Sequence, residues 1–236
     1  MKRSFEPNFF TQIGLDSGAL TMLGAVVHSF AEAGEYRGSV HRGEDTEATF
    51  VISVDSASAL AQATVDLAQL TDPHPKGCDC GANHGTRFAV HPRGFAVFCV
   101  SGGSGGYWVN VRRAEEDPEL PAYDSRQLHR GDTFSAVIVR PGRYALRNEL
   151  SEEAYAEVTV PYPTIGKTAF RPPAPLDVDC GKTIEPREIP LHPTQGLNLR
   201  ILEPARVRIE LLEPDDGPGD RPQPRAGWKK QALPRE

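Results

Sequence analysis

Short apolar runs with a period of two, each closed by glycine or proline, constrain this chain more than any other feature. Phe95, Val97 and Cys99 alternate in "FAVFCV", and Tyr107, Val109 and Val111 alternate in "GYWVNVRR". Successive side chains of a strand point to opposite faces, so this period belongs to half-buried strands. The chain holds 22 Gly and 21 Pro in 236 residues, and both interrupt helices and supply turns. The pattern predicts a mainly β protein built of antiparallel β-sandwich or small-barrel units. Its halves could form two similar domains, with one short helix.

The helix is expected at 57–70, in "SASALAQATVDLAQLTDP". Leu60, Ala63, Leu67 and Leu70 fall on one stripe, Ser56 or Ser58 can cap it, and Asp72-Pro73 ends it. Before it, "EYRGSVHRGEDTEATFVISVD" reads as a hairpin turning at "RGED". After it, "TRFAVHPRGFAVFCV" and "GYWVNVRR" read as a three-stranded meander joined by "HPRG" and the glycine-serine loop 101–106. The acidic, Pro-rich stretch "AEEDPELPAYD" suits a linker. The resulting division is a leader at 1–18, a β-rich domain at 19–113, a linker at 114–124, a sandwich-like domain at 125–213 and a disordered tail at 214–236. A weak repeat accompanies this division. "VHRGEDTEATFVISV" begins at Val40 and "LHRGDTFSAVIVR" at Leu128, both with His-Arg-Gly-acid ahead of a β-rich run.

"HPKGCDCGANH", residues 74–84, raises the question of metal chemistry. Thiolate and imidazole suit zinc or copper, and four of them converging make a tetrahedral site. His74, Cys78, Cys80 and His84 are the candidate ligands, with His91 and Cys99 as alternatives. The single residue between the cysteines is a short spacing for zinc, so a redox dithiol and an ordinary polar loop stand beside the metal reading. Cys99 and Cys180 read as core residues.

No catalytic motif appears: no Gly-x-Ser-x-Gly elbow, no His-Glu-x-x-His helix and no P-loop lysine after the 101–106 loop. The net charge of -6 argues against binding nucleic acid through phosphate neutralisation. No apolar run reaches membrane-spanning length and no signal peptide opens the chain, which predicts a cytoplasmic protein without membrane attachment. The second half, in "GDTFSAVIVRPGRYAL", resembles the strand-turn-strand segments of cupredoxin-like β-sandwiches. That resemblance implies the fold without the copper site, because no Met follows Met22 and no Cys-His cluster follows Tyr144. The reading that joins these observations is a non-enzymatic β-rich binding or assembly protein, acting on a protein partner or on itself, with a bound structural metal as accessory. A metal-binding protein centred on 74–84 and an enzyme with a dispersed active site are the alternatives.

Overall fold

The computed structural model describes residues 13–72, 86–114, 122–163, 171 and 173–217. In chain order the strands of the first part are β1 (Gly14–Asp16), β2 (Gly24–Ser29), β3 (Gly34–Arg42), β4 (Asp45–Val54), β5 (Gln62–Asp66), β6 (Thr86–Val90), β7 (Phe95–Cys99) and β8 (Tyr107–Arg113), with α1 (Leu67–Leu70) after β5. Then come β9 (Tyr123–Asp124), β10 (Thr133–Val137), β11 (Gly142–Asn148), β12 (Tyr155–Val160) and β13 (Leu176–Cys180). The last strands are β14 (Ile184–Glu185), β15 (Glu188–Pro190), β16 (Gly196–Ile201) and β17 (Val207–Pro214). The alternation read from sequence is what β8 buries, Tyr107, Val109 and Val111, and β10 buries Phe134 and Ala136; in β7 the face is reversed, with Ala96 and Phe98 covered while Phe95, Val97 and Cys99 are only half-buried.

The strands do not make sandwiches or small barrels. After the β3–β4 hairpin the chain coils: β5 lies in a second sheet, β6 returns beside β4 in parallel, and β7 returns beside β5 in parallel. The second half repeats the coil. β15 lies parallel to β12 and β16 parallel to β13. Parallel neighbours need a crossover, and here the crossover is the other sheet rather than a helix. The result is a stacked-coil, β-solenoid arrangement of two short windings. Each has its own outer sheet, in the orders β6-β4-β3-β8-β9 and β1-β17-β11-β12-β15. Both contribute to one seven-stranded sheet, β14-β13-β16-β10-β2-β7-β5, joined at the antiparallel β2–β10 seam. A single hydrophobic cluster runs through all three sheets. The expected sandwich or small-barrel units are thereby corrected, and so is the cupredoxin-like reading of the second half, since β10 and β11 belong to different sheets. The expected meander is corrected too: β6 and β8 share an outer sheet without pairing, and β7 lies in the shared one.

The helix at 57–70 is replaced by β5 and one turn of α1. Ala63 and Val65 are buried while Leu60 is 56% exposed, a period of two that the pairing with β7 imposes over the weaker helical stripe. Asp66 caps α1 by accepting from the Ala68 N–H at 3.1 Å.

The leading parts of the windings, residues 14–42 and 122–150, correspond residue by residue at one constant interval. Asp16 and Ser17 match Asp124 and Ser125, Leu20 matches Leu128, and Tyr36 matches Tyr144. The local bonds match as well. The Ser17 hydroxyl accepts from Val207 N–H at 3.1 Å and that of Ser125 from Val109 N–H at 2.9 Å. Tyr36 donates to the Glu32 carbonyl at 2.9 Å and Tyr144 to the Arg140 carbonyl at 2.6 Å. Gly34 and Gly142 open β3 and β11 with φ of 148° and 153°, backbone that favours glycine. The weak repeat noted in the sequence lies at a different interval. Val40 sits within β3, whereas Leu128 precedes β10, so the two His-Arg-Gly turns are not equivalent. The leading strands are exchanged: β1 pairs with β17 of the second winding, and β9 pairs with β8 of the first.

Candidate functional site

The outer face of the first winding's sheet carries the most unusual chemistry among the described residues. Alternation sends Tyr36, Gly38 and Val40 of β3 into the core and Arg37, Ser39 and His41 outward. Register then sets Arg37 opposite Arg112, Ser39 opposite Asn110, and His41 opposite Trp108 on β8. Thr49 and Val51 of β4 complete a groove of about 570 Å3. Gly38 lies beneath it. A Cβ there would meet the Phe50 ring at 2.0 Å, so the missing side chain lets the ring lie against the strand.

The Trp108 indole is held on both faces. His41 stacks on it with ring centres 3.9 Å apart, and the Arg126 guanidinium lies 3.6 Å from the ring centre. Its Nε1 donates to the Gly43 carbonyl at 2.8 Å. Asp124 on β9 holds Arg126 with both carboxylate oxygens, Nη2 to Oδ2 at 2.8 Å. That hydrogen bond is the main reason the guanidinium is even harder to deprotonate than usual. His41 shares hydrogen bonds with Ser39 Oγ at 2.8 Å and Thr46 Oγ1 at 3.2 Å. Burial lowers its pKa from the ordinary histidine value, and Arg126 lowers it further. The imidazole is therefore an uncharged stacking partner near neutral pH.

Arg37 and Arg112 face each other with no ion pair to either among the described residues. Arg112 Nε donates only to the Asn110 amide oxygen, at 3.1 Å. The second winding supplies a comparison within the molecule. There Glu149 takes the place of His41 and Arg206 the place of Trp108, and the two form an ion pair at 3.1 Å. Arg206 also holds Asp16, Arg208 holds Glu149 and Glu210, and Arg143 holds Glu157 and Glu213. One outer sheet is thus a neutralised lattice. The other sets three arginines about a Trp, of which Arg126 alone has an ion pair among the described residues, to Asp124, with Glu44 near enough to act on Arg126 and His41.

His74, Cys78, Cys80 and His84 lie outside the described residues, as does most of the 114–124 segment and of the tail. Among the described residues no group of three or more His, Cys, Asp or Glu could hold a metal ion. Zinc and metal binding therefore find no support among the described residues, where the alternative ligands His91 and Cys99 are engaged or half-buried. His91 Nδ1 accepts from the Arg93 N–H at 3.1 Å. Cys99 and Cys180 are free thiols, pushed up by burial, Cys180 to about 11. Sequence reasoning missed Arg37, Trp108, Arg112 and Arg126. Alternation in "EYRGSVHR" and "GYWVNVRR" places the first three outward, but only the register makes them neighbours. It also missed His28, whose ring bonds Asp132, a carboxylate that also accepts the His129 backbone N–H. No helix among the described residues is long and apolar enough to cross a membrane.

Comparison with family models, curated proteins and solved structures finds no match to this chain.

Proposed function

We propose that this is a non-enzymatic binding protein whose first outer sheet holds an acidic segment of a protein partner. The directly opposed Arg37 and Arg112 carry the reading. Like charges across a strand pair destabilise the sheet, and an incoming carboxylate relieves them. Trp and Arg are the residues in which interface energy concentrates, and here a braced indole stands beside three guanidinium groups. The chain's net charge of -6 repels a polyanion at long range, which favours a short acidic segment over nucleic acid.

The test uses full-length protein with Trp228→Phe, so that Trp108 is the only indole. It is titrated with a glutamate-rich dodecapeptide, its lysine counterpart and an oligothymidylate of the same length. Saturable quenching by the acidic peptide, weakened by salt, is expected. Arg112→Glu should weaken it at least tenfold (about 1.4 kcal/mol) while leaving the melting temperature unchanged or slightly higher, because it creates an opposite-charge pair with Arg37. Preference for the oligonucleotide, or Arg112→Glu binding as tightly as the parent, would overturn the proposal.

A further inference from the structure

A second, independent feature lies at the seam between the windings. His28, near the end of β2, meets Asp132, just ahead of β10, at 2.7 Å. Asp132 is 3% exposed and also accepts the His129 N–H at 2.7 Å. A carboxylate only accepts, so Nδ1 of His28 carries the shared proton. Its other nitrogen, Nε2, has no partner among the described residues, and His28 lines a cleft of about 230 Å3. Phe30 and Tyr36 line the same cleft, with rings 4.6 Å apart, and Glu32 and Arg113 form an ion pair at its mouth.

The corresponding place in the second winding is closed. Leu15, Leu23, Ile138 and Ile209 leave about 10 Å3 there. The constant interval matches His28 with Ala136, Asp132 with Gly24, and Tyr123 with Leu15. One cleft is therefore packed with aliphatic side chains, and its counterpart is open and polar. That polarity has a cost. The Tyr123 hydroxyl is buried and has no hydrogen-bond partner among the described residues, and its ring centre lies 4.4 Å from that of His28. An orphaned buried hydroxyl costs about 1–3 kcal/mol, which the leucine at the matching position avoids.

We infer that the open cleft is a binding site for a small neutral aromatic alcohol, with its ring against Phe30 and Tyr36 and its hydroxyl on His28 Nε2. The volume equals roughly eight waters at about 30 Å3 each, the size of one substituted ring. Among the described lining residues the charged side chains are Glu32 and Arg113, of opposite sign, which suits an uncharged ligand. A hydroxyl both donates and accepts, which suits Nε2 whether or not it holds a proton. Asp132 is a positioning residue that fixes the ring.

The experiment is a titration of the full chain, with labelled histidine, by 4-methylphenol and by p-xylene, which has the same shape without the hydroxyl. The His28 ring resonances are followed by NMR. A saturable shift with 4-methylphenol is expected, at least tenfold weaker with p-xylene. Ala122→Trp, which fills the rim from an exposed position, should abolish it without disturbing the fold. No saturable shift, equal binding of p-xylene, or unchanged binding in Ala122→Trp would overturn the inference.

Discussion

At the scale of single residues, the first winding's outer face depends on side chains whose roles come from register. Trp108→Ala removes a cation–π contact, a ring stack and an indole hydrogen bond together. A loss of about 1–2 kcal/mol is expected by denaturant unfolding, with peptide binding lost as well. Beneath the face, Gly38→Ala should cost about 1–3 kcal/mol, because the new methyl meets the Phe50 ring and either the ring or the strand must move. A melting temperature equal to the parent's would contradict that packing. His41 gives a pH prediction. Its folded pKa lies below the unfolded value of 6.5, so the unfolded chain binds the extra proton first. Its contribution to stability is fully present above that value and is lost as pH falls through 6.5 toward the folded pKa. Because burial is the larger cause and Arg126 the second, Arg126→Gln should move the His41 titration only part of the way back, as read by NMR.

At the scale of elements, the segment 57–70 separates two periodicities. As a helix it would bury Leu60 and expose Val65; as β5 it buries Val65 completely and leaves Leu60 mostly in solvent. Val65→Asp is therefore expected to cost about 3 kcal/mol or more, and Leu60→Asp less than about 0.5. Equal costs in the two unfolding curves would contradict the strand. Most strands were legible because alternation is local: "REIPL", "LNLRIL" and "ARVRIELL" are β15, β16 and β17. The sheet each strand joins was not legible. The loop 101–106 looks like a hairpin connection, yet it carries the chain from the shared sheet to the outer one. Gly106 N–H bonds the Leu20 carbonyl at 2.8 Å, and Gly105 lies so close to Thr21 that a Cβ would meet it at 2.8 Å. Such approaches depend on a distant segment that no window of sequence contains.

At the scale of the whole molecule, the repeat was visible in the letters but at the wrong interval. "LDSGAL" and "YDSRQL" carry the matching serines and aspartates, while the more conspicuous His-Arg-Gly pair reflects only that glycine turns recur. The candidate site was legible as exposed polar positions on strands, and not as a site. Its meaning comes from three arginines meeting on a chain of opposite net charge, and from a matching sheet on which Arg143, Arg206 and Arg208 are all ion-paired. The cysteine-histidine loop drew attention because its residues are close in sequence; the groups that meet in space, such as His28 and Asp132, come from different windings.

The crossed placement of β1 and β9 gives this polypeptide the connectivity of a two-fold dimer whose arms have been traded and whose subunits were then tied end to end. A nick between Ala114 and Ala122 is thus expected to yield a stable two-piece complex at native conditions. Either piece alone should fail to fold, because each would have surrendered its border strand to the other.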